Sequence, residues 1–229
     1  MTPETGDASH LLKVHRYTDE YFQTMVARLY NFDGSRIEPG SVLYTNYVIH
    51  QVPAAGETAG DVNGYARVIT RELPLNGSQI RDAQIAGESG DIQTKGYADL
   101  FSDKPYEPVR TVPSLQHYRF IHESENNATA TLFGEASPTI LLDSKTVKIF
   151  EYVKGAHISG KGIIEVPVVT NTGRKLVYSQ ESVNGEFVVP YSTTGNQYDV
   201  RTTGPYRIAG TPRNISVTEE DILNGNLVP

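Results

Sequence analysis

The stretch TVKIFEYVKGAHISGKGIIEVPVVTNTGRKLVYSQESVNGEFVVPYSTTGNQYDVRTTGPYRI, residues 146–208, decides the fold class of this chain. In its short runs every second residue is apolar, so each run can bury one face and expose the other. Turn residues rich in Gly and Asn separate the runs at roughly ten-residue intervals, which predicts a small antiparallel β-sandwich. The alternating apolar residues are Val147, Ile149, Ile164, Val166, Val168, Leu176, Tyr178, Phe187 and Val189.

Upstream of this stretch, one strong helix is predicted from Tyr21 to Asn31. Apolar residues recur there at the i, i+3, i+4 and i+7 spacing of a single helix face about three turns long. Thr18 or Asp19 can cap its start, and Gly34 is a natural stop. The predicted buried face consists of Phe22, Met25, Val26 and Leu29.

The rest of the chain adds further strands and one short helix. Residues 41–50 are β-branched and aromatic, and residues 65–73 supply a returning strand, which together predict a hairpin. Residues 78–101 are ambiguous, because isolated apolar residues hint at a helix that several glycines weaken. Thr218 with Asp221 forms a capping-box pattern and predicts a short helix near the C-terminus.

These elements predict a strand-rich α+β protein. We expect a helix-containing mixed core over residues 1–125, with a β-hairpin insertion near residues 41–73. A linker is expected over residues 126–145, followed by an antiparallel β-sandwich over residues 146–229 that carries the short C-terminal helix. At 229 residues the chain is long enough to bury a real core.

Composition restricts the function classes. With 27 acidic and 20 basic residues the net charge is −7, so no broad positive surface is available for nucleic acid. The absence of cysteine excludes disulfides, thiolate metal sites and a cysteine nucleophile. The sequence lacks an apolar run of about 18 residues, so we expect this piece to be soluble.

No catalytic, cofactor-binding or metal-binding residue is predicted. The histidines lack the pairwise spacings that direct two imidazoles at one metal, and the chain has no nucleophile elbow or phosphate-binding glycine loop. The acidic run at residues 219–221 is explained by the positive end of a helix dipole. The six histidines are His10, His15, His50, His117, His122 and His157.

Tyrosine is abundant, with 14 residues, while tryptophan is absent. Exposed tyrosines in a row can stack on the apolar faces of sugars. Strand packing is the favoured explanation, because aromatic residues are enriched in strands. The tyrosines interpreted as packing residues are Tyr44, Tyr47, Tyr178 and Tyr206.

Three N-x-[ST] tripeptides make Asn76, Asn127 and Asn214 candidate N-glycosylation sites. Asn127 is the best candidate from sequence, because it lies in the expected linker and is followed by a Thr. Use of any of them requires the chain to meet the glycosylation machinery.

Four runs of sequence resemble the C-terminal soluble region of archaeal oligosaccharyltransferase catalytic subunits, especially those of methanogens. The likeness extends from about Tyr21 to Ile208, and the order and spacing of the runs make it fairly specific. The runs are TMVARLYNFDGS at 24–35, VPSLQHYR at 112–119, VKIFEYVKGA at 147–156 and SVNGEFVVPYSTTG at 182–195.

The resemblance implies a fragment of a membrane enzyme. Members of that family carry a membrane region and a globular region on the outer face of the cell membrane. They transfer a glycan from a dolichyl-linked carrier to the Asn of N-x-Ser/Thr, with the help of a divalent metal, Mn or Mg. The implied partners are the missing transmembrane region, the acceptor polypeptide and the dolichyl-linked glycan.

The family's W-W-D-Y-G motif is missing, since the chain has no Trp. No catalytic residue is therefore carried over, and we expect the fragment alone to support the enzyme without transferring glycan. The alternative interpretation is a cell-surface β-sandwich module that binds carbohydrate or protein through exposed tyrosines.

Overall fold

The structure, a computed structural model, describes six parts of the chain and divides it into two compact units. The first unit includes Pro39–Val109, and the second consists of Asp19–Glu38 and Arg110–Pro229. The described residues are 18–39, 42–52, 64–75, 97–102, 107–127 and 145–229.

The first unit contains a three-stranded antiparallel sheet. Its strands are β1 (Val42–Val52), β2 (Gly64–Leu75) and β3 (Tyr97–Ser102), in the order β2-β1-β3. The predicted hairpin is the β1–β2 pair, whose register shifts at Asn46/Tyr47. Strand β3 lies in the stretch that the sequence left ambiguous, and residues 76–96 lie outside the described residues.

The single long helix predicted at the start of the second unit is wrong. Two short helices form instead, α1 (Asp19–Gln23) and α2 (Met25–Tyr30). They are separated at Thr24, whose backbone is extended (ψ 152°) and whose hydroxyl accepts a hydrogen bond from the Ala27 amide at 3.2 Å. Thr24 thus acts as an N-cap and starts a new helix.

The break also changes which residues are buried. A uniform helix would bury Met25 and Val26 beside Phe22, but these two side chains are 42% and 67% exposed. Phe22 and Ala27 are buried instead. The i+3 and i+4 relation to Phe22 does not apply across the break, because the two helices no longer share one face.

In the described part of the second unit, ten strands and one further helix follow, and they confirm the strand-rich α+β class. The strands pair antiparallel, except that β13 runs parallel to β6. The pairs and sheets are β4-β5, β10-β7-β11-β12 with β8 on β7, and β13-β6-β9. The elements are β4 (Tyr118–Glu123), β5 (Lys148–Tyr152), β6 (Ala156–Ser159), β7 (Ile163–Val169), β8 (Lys175–Glu181), β9 (Glu186–Val189), β10 (Arg201–Thr202), β11 (Tyr206–Ile208), β12 (Asn214–Ile215), α3 (Glu219–Asn224) and β13 (Leu227–Val228).

A single apolar core unites these sheets. Strand β7 contributes every second residue to it, as the alternation predicted. The tyrosines Tyr178 and Tyr206 lie in this core, where the sequence expected them to pack, whereas the side chains at 44 and 47 lie outside the described part. The largest apolar core members are Phe120, Ile158, Ile164, Tyr178, Phe187, Tyr191, Tyr206 and Ile222.

The unit boundaries do not coincide with the division predicted at residues 126–145. The helices α1 and α2 and strand β4 belong to the same unit as the sandwich strands. Strand β4 is joined to that unit by its ladder with β5. Asn127 and Lys145 form an isolated antiparallel bridge, and residues 128–144 of the expected linker lie outside the described residues.

Candidate functional site

Four charged side chains meet inside the second unit: Asp33, Glu123, Lys148 and Arg174. The Arg174 guanidinium donates to both carboxylates, at 2.6 and 3.0 Å to Asp33 and at 2.8 and 3.1 Å to Glu123. Lys148 Nζ donates to Asp33 Oδ1 at 2.7 Å. Two cations and two anions therefore balance, and we call this group the four-charge network.

Local backbone structure places these groups. Asp33 follows α2 with a left-handed φ of 54°, and Gly34 continues the turn at a φ of 75°. Glu123 ends β4, Lys148 begins β5, and Arg174 lies in the turn between β7 and β8. Four segments that are distant in the sequence are thereby joined.

Glu123 is the most enclosed member of the four-charge network, with a fully buried side chain. Besides Arg174, the hydroxyls of Thr170 and Thr172 donate to its Oε1. Burial raises the pKa of Glu123, but hydrogen bonds from Arg174 and the two threonines outweigh it and hold the pKa below its ordinary value. The carboxylate is therefore charged at neutral pH.

In Lys148, the effect of burial on the pKa outweighs the effect of the neighbouring carboxylate. Burial lowers the pKa of Lys148, although the Asp33 carboxylate opposes this change. Its ammonium also donates to the Tyr30 carbonyl at 2.7 Å and lies 5.5 Å from the centre of the Tyr30 ring. These contacts tie β5 to the end of α2.

A second group centres on Arg119, and we call it the Arg119 network. The buried Arg119 guanidinium donates to both carboxylate oxygens of Glu219 at 2.7 and 2.9 Å, and to Glu151 at 2.7 Å. Ser192 also donates to Glu219 at 2.7 Å, and the Tyr198 ring lies 4.7 Å from the guanidinium carbon. The network connects β4 and β5 to α3.

Glu219 is the first residue of helix α3, so the cap of this helix fixes its position. The Thr218 hydroxyl accepts from the Asp221 amide, and the Asp221 carboxylate accepts from the Thr218 amide, which completes the predicted capping box. Gly225 ends the helix in the left-handed conformation. Glu219 was explained from sequence by the helix dipole, and the structure shows that it is also the main partner of Arg119.

One open groove, with a cavity volume of about 350 Å³, lies near Arg36. Arg36 pairs with Glu38, and its Nε lies 3.4 Å from a Glu181 carboxylate oxygen. The basic group in this groove is therefore already neutralised. The lining residues are Arg36, Thr111, Pro113, Ser114, Gln116, Glu181, Ser182 and Val183.

The histidines of the second unit lie apart from one another and have separate partners. His117 Nδ1 lies 3.0 Å from the Lys154 carbonyl, and His122 and His157 each lie 3.1 Å from the carboxylates of Asp199 and Glu186. Among the described residues, no group of three or more His, Asp or Glu side chains has the arrangement to hold a metal ion. His10 and His15 lie outside the described residues, as does the side chain of His50.

The candidate glycosylation sites differ in their surroundings. Asn214 is exposed at the start of β12, and its Oδ1 accepts from Arg207 Nε at 3.1 Å. Asn127 is exposed, and its Oδ1 accepts from Lys145 Nζ at 3.0 Å. Asn76 lies outside the described residues.

Sequence reasoning missed both ion networks. Strand β4 buries two charged residues, Arg119 and Glu123, although charged residues on a strand usually mark its exposed face. Its register also shifts between Phe120 and His122, so a simple alternation does not describe its burial. The available sequence signal was the presence of two opposite charges in a strand that is otherwise rich in aromatic residues.

Comparison with known proteins gives these features a family context. Residues 153–228 match the family model of the archaeal glycosylation protein B long peripheral domain. The dolichyl-phosphooligosaccharide-protein glycotransferase 3 of Archaeoglobus fulgidus is 27% identical over 222 residues, which cover 91% of this chain and 22% of that protein.

Solved structures of the oligosaccharyltransferase from the same organism are also similar. The complex of AglB with an inhibitory peptide and a dolichol-phosphate is 21% identical, with a TM-score of 0.40 over 81% of this chain and 26% of that one. The apo form is 21% identical, with a TM-score of 0.42 over 92% of this chain and 22% of that one. The complex with Zn and sulfate is 20% identical, with a TM-score of 0.40 over 81% of this chain and 29% of that one.

The segment from residue 153 to 228 is thus similar to the long peripheral domain of the archaeal glycosylation protein B. The resemblance of the chain to the C-terminal region of archaeal oligosaccharyltransferases is confirmed. The chain spans 22% of the length of the glycotransferase that it matches. In the described part of the chain, no helix has the length and apolar character needed to cross a membrane.

Proposed function

We propose that this chain is the C-terminal globular region of a membrane oligosaccharyltransferase, which transfers a lipid-linked glycan to the Asn of N-x-Ser/Thr. The single observation that carries this proposal is the family-model match over residues 153–228. In this proposal the region stabilises the enzyme and does not catalyse transfer. Its partners are the transmembrane region, the acceptor polypeptide and the dolichyl-linked glycan, on the outer face of the cell membrane.

The ion networks support the stabilising role. The carboxylates of Asp33, Glu123 and Glu219 already accept charge-assisted hydrogen bonds from Arg or Lys side chains. A carboxylate in such a pair is not free to act as a general base, because its oxygen lone pairs already accept hydrogen bonds from the cation. Their effect is to lock β4, β5 and α3 in place.

The divalent metal expected for the full-length enzyme, Mn or Mg, does not fit these networks. A Mg²⁺ or Mn²⁺ ion prefers several carboxylate or carbonyl oxygens around an open position. Here Arg174 and Lys148 occupy the space beside the carboxylates and would repel a cation. We therefore assign the metal to the part of the enzyme beyond this chain. A related structure contains Zn and sulfate.

Among the residues whose side chains the structure describes, the tyrosines do not support the alternative, a module that binds carbohydrate through a row of tyrosines. Tyr178, Tyr191 and Tyr206 are fully buried and cannot stack on a sugar. Tyr152 is 64% exposed, but it already packs against the rings of His117 and Tyr118. Sugar binding would need an open ring face, which these contacts reduce.

A glycan-transfer assay tests the proposal. The full-length enzyme and residues 1–229 alone are incubated with a radiolabelled lipid-linked glycan and an N-x-T peptide. We expect transfer by the full-length enzyme and none by the chain alone, because electrostatic stabilisation of the leaving phosphate requires the catalytic part. Turnover by the chain alone would contradict the non-catalytic role, and an inactive full-length protein would contradict the proposed enzyme.

A further inference from the structure

The hairpin between β11 and β12 carries one of the three glycosylation tripeptides in an exposed position. Residues 209–214 are all exposed, and so is Ser216. Between them, Ile215 is 3% exposed and packs in the core. The two residues whose side chains matter in Asn214-Ile215-Ser216 therefore both face solvent, and the middle residue anchors the segment.

The local geometry leaves the Asn214 amide nitrogen accessible. Its Oδ1 accepts from Arg207, its ladder partner on β11, at 3.1 Å. The nitrogen of a carboxamide points away from its oxygen, and no hydrogen bond from Asn214 Nδ2 to the described residues is formed. Strand β12 is the outer strand of its sheet, so a group attached there would extend into solvent.

We propose that Asn214 is a glycan acceptor in this protein. The proposal rests on the proposed function, because it requires the chain to meet a lipid-linked glycan and its transferase. In the reaction a new bond forms between Asn214 Nδ2 and the anomeric carbon of the sugar. The bond between that carbon and the oxygen of the carrier phosphate breaks, the phosphate keeps the electron pair, and Nδ2 loses one proton to solvent.

Sequence alone favoured Asn127, and both Asn127 and Asn214 are exposed. At Asn214 the hydroxyl residue of the tripeptide, Ser216, is exposed as well. The exposure of both residues supports Asn214 as an acceptor, and the test below examines Asn127 beside it.

Burial of Ile215 predicts when the transfer occurs. A transferase that holds the tripeptide must withdraw Ile215 from the core, which opens β12. This strand has only two residues and two ladder partners, so its opening costs less than global unfolding. We expect the unfolded chain to be the better acceptor and the folded chain to react more slowly.

The test uses archaeal membranes that transfer glycan to a synthetic N-x-T peptide, with that peptide present in the same reaction. Residues 1–229 are added either folded or freshly diluted from urea, and products are analysed by intact mass and by mass spectrometry of tryptic peptides. Cleavage after Arg213 releases residues 214–229 for direct inspection. We expect a glycan on this peptide, with several-fold higher occupancy for the chain diluted from urea.

Variants make the assignment specific. Asn214→Gln and Ser216→Ala each abolish the glycan on residues 214–229, and Ser216→Thr retains it. The matched control Asn224→Gln changes an exposed Asn outside any N-x-[ST] tripeptide and leaves the glycan in place. A modified synthetic peptide together with unmodified residues 214–229 overturns the Asn214 proposal and leaves the proposed enzyme intact, as does glycan confined to Asn127 or Asn76.

Discussion

The two ion networks of the second unit differ in charge balance and in exposure. The four-charge network joins two cations to two carboxylates, and Glu123 within it has no exposed side-chain surface. The Arg119 network joins one guanidinium to Glu151 and Glu219, whose side chains are 32% and 23% exposed. Both networks make several short hydrogen bonds, so the number of bonds does not separate them.

The difference shows what determines the cost of breaking a network. A carboxylate that loses its cation can be solvated if water reaches it, but a fully buried carboxylate cannot. The energetic penalty therefore depends on the exposure of the partner that remains.

The largest effect is expected for Arg174→Met. This change leaves Glu123 buried with only neutral hydrogen-bond donors, and we expect the free energy of unfolding to fall by about 3–5 kcal/mol. Urea unfolding followed by circular dichroism measures it. Glu123→Gln in the same background should recover part of the loss, because a neutral amide needs no cation. The exposed control Arg201→Met should change stability by less than about 0.5 kcal/mol.

A smaller loss, of about 2 kcal/mol, is expected for Arg119→Met, because water can reach Glu151 and Glu219. The same urea series provides the measurement, and the Arg201→Met control applies again. If Arg119→Met destabilises the protein as much as Arg174→Met does, exposure of the remaining partner is not the deciding factor.

The next effect concerns the cap that positions Glu219. Thr218→Ala removes the hydroxyl that accepts from the Asp221 amide and should cost about 1 kcal/mol, whereas Thr218→Ser retains the cap and should cost a few tenths. Combined with Arg119→Met, Thr218→Ala should cost less than it does alone, because Glu219 no longer has its main partner. A double-mutant cycle measures this coupling, and strict additivity would show that the cap does not serve Glu219.

Protonation of a single carboxylate by acid is expected to lower the free energy of unfolding least, because a protonated carboxyl still accepts hydrogen bonds. Burial raises the pKa of Glu123 and of Glu219, but hydrogen bonds from Arg174 and Arg119 respectively hold each pKa below its ordinary value. Carboxylates of this kind contribute stability above their unfolded pKa and lose it as pH falls through the folded pKa.

The midpoint of urea unfolding should therefore fall as the pH decreases below about 4.5, the ordinary value for Glu. Glu123→Gln should make this decrease shallower. An unchanged pH profile for the variant would mean that Glu123 does not contribute to acid sensitivity.

Features that depend on neighbouring residues were predictable from sequence. The alternation in β7 identified the buried Ile164, Val166 and Val168, because a strand directs successive side chains to opposite faces. The capping box at Thr218 was also predictable, because its two partners, Thr218 and Asp221, are only three residues apart in the sequence. In both elements, the residues that determine the structure are close together in the sequence.

Features that depend on distant partners were not predictable. Arg174 and Asp33 are separated by 141 positions, so no spacing rule connects them. The helix break at Thr24 was missed because apolar periodicity continued through a residue that prefers to cap a helix. The ion networks therefore became visible only once the strands were paired.

Within the second unit, Ile37 and Val112 lie side by side, because the backbone amide of each donates to the carbonyl of the other at 3.0 Å. The second unit itself therefore holds together two positions that are far apart in the sequence. A change in the length of the intervening sequence costs this pairing little, so we expect relatives to vary most in length between these two positions.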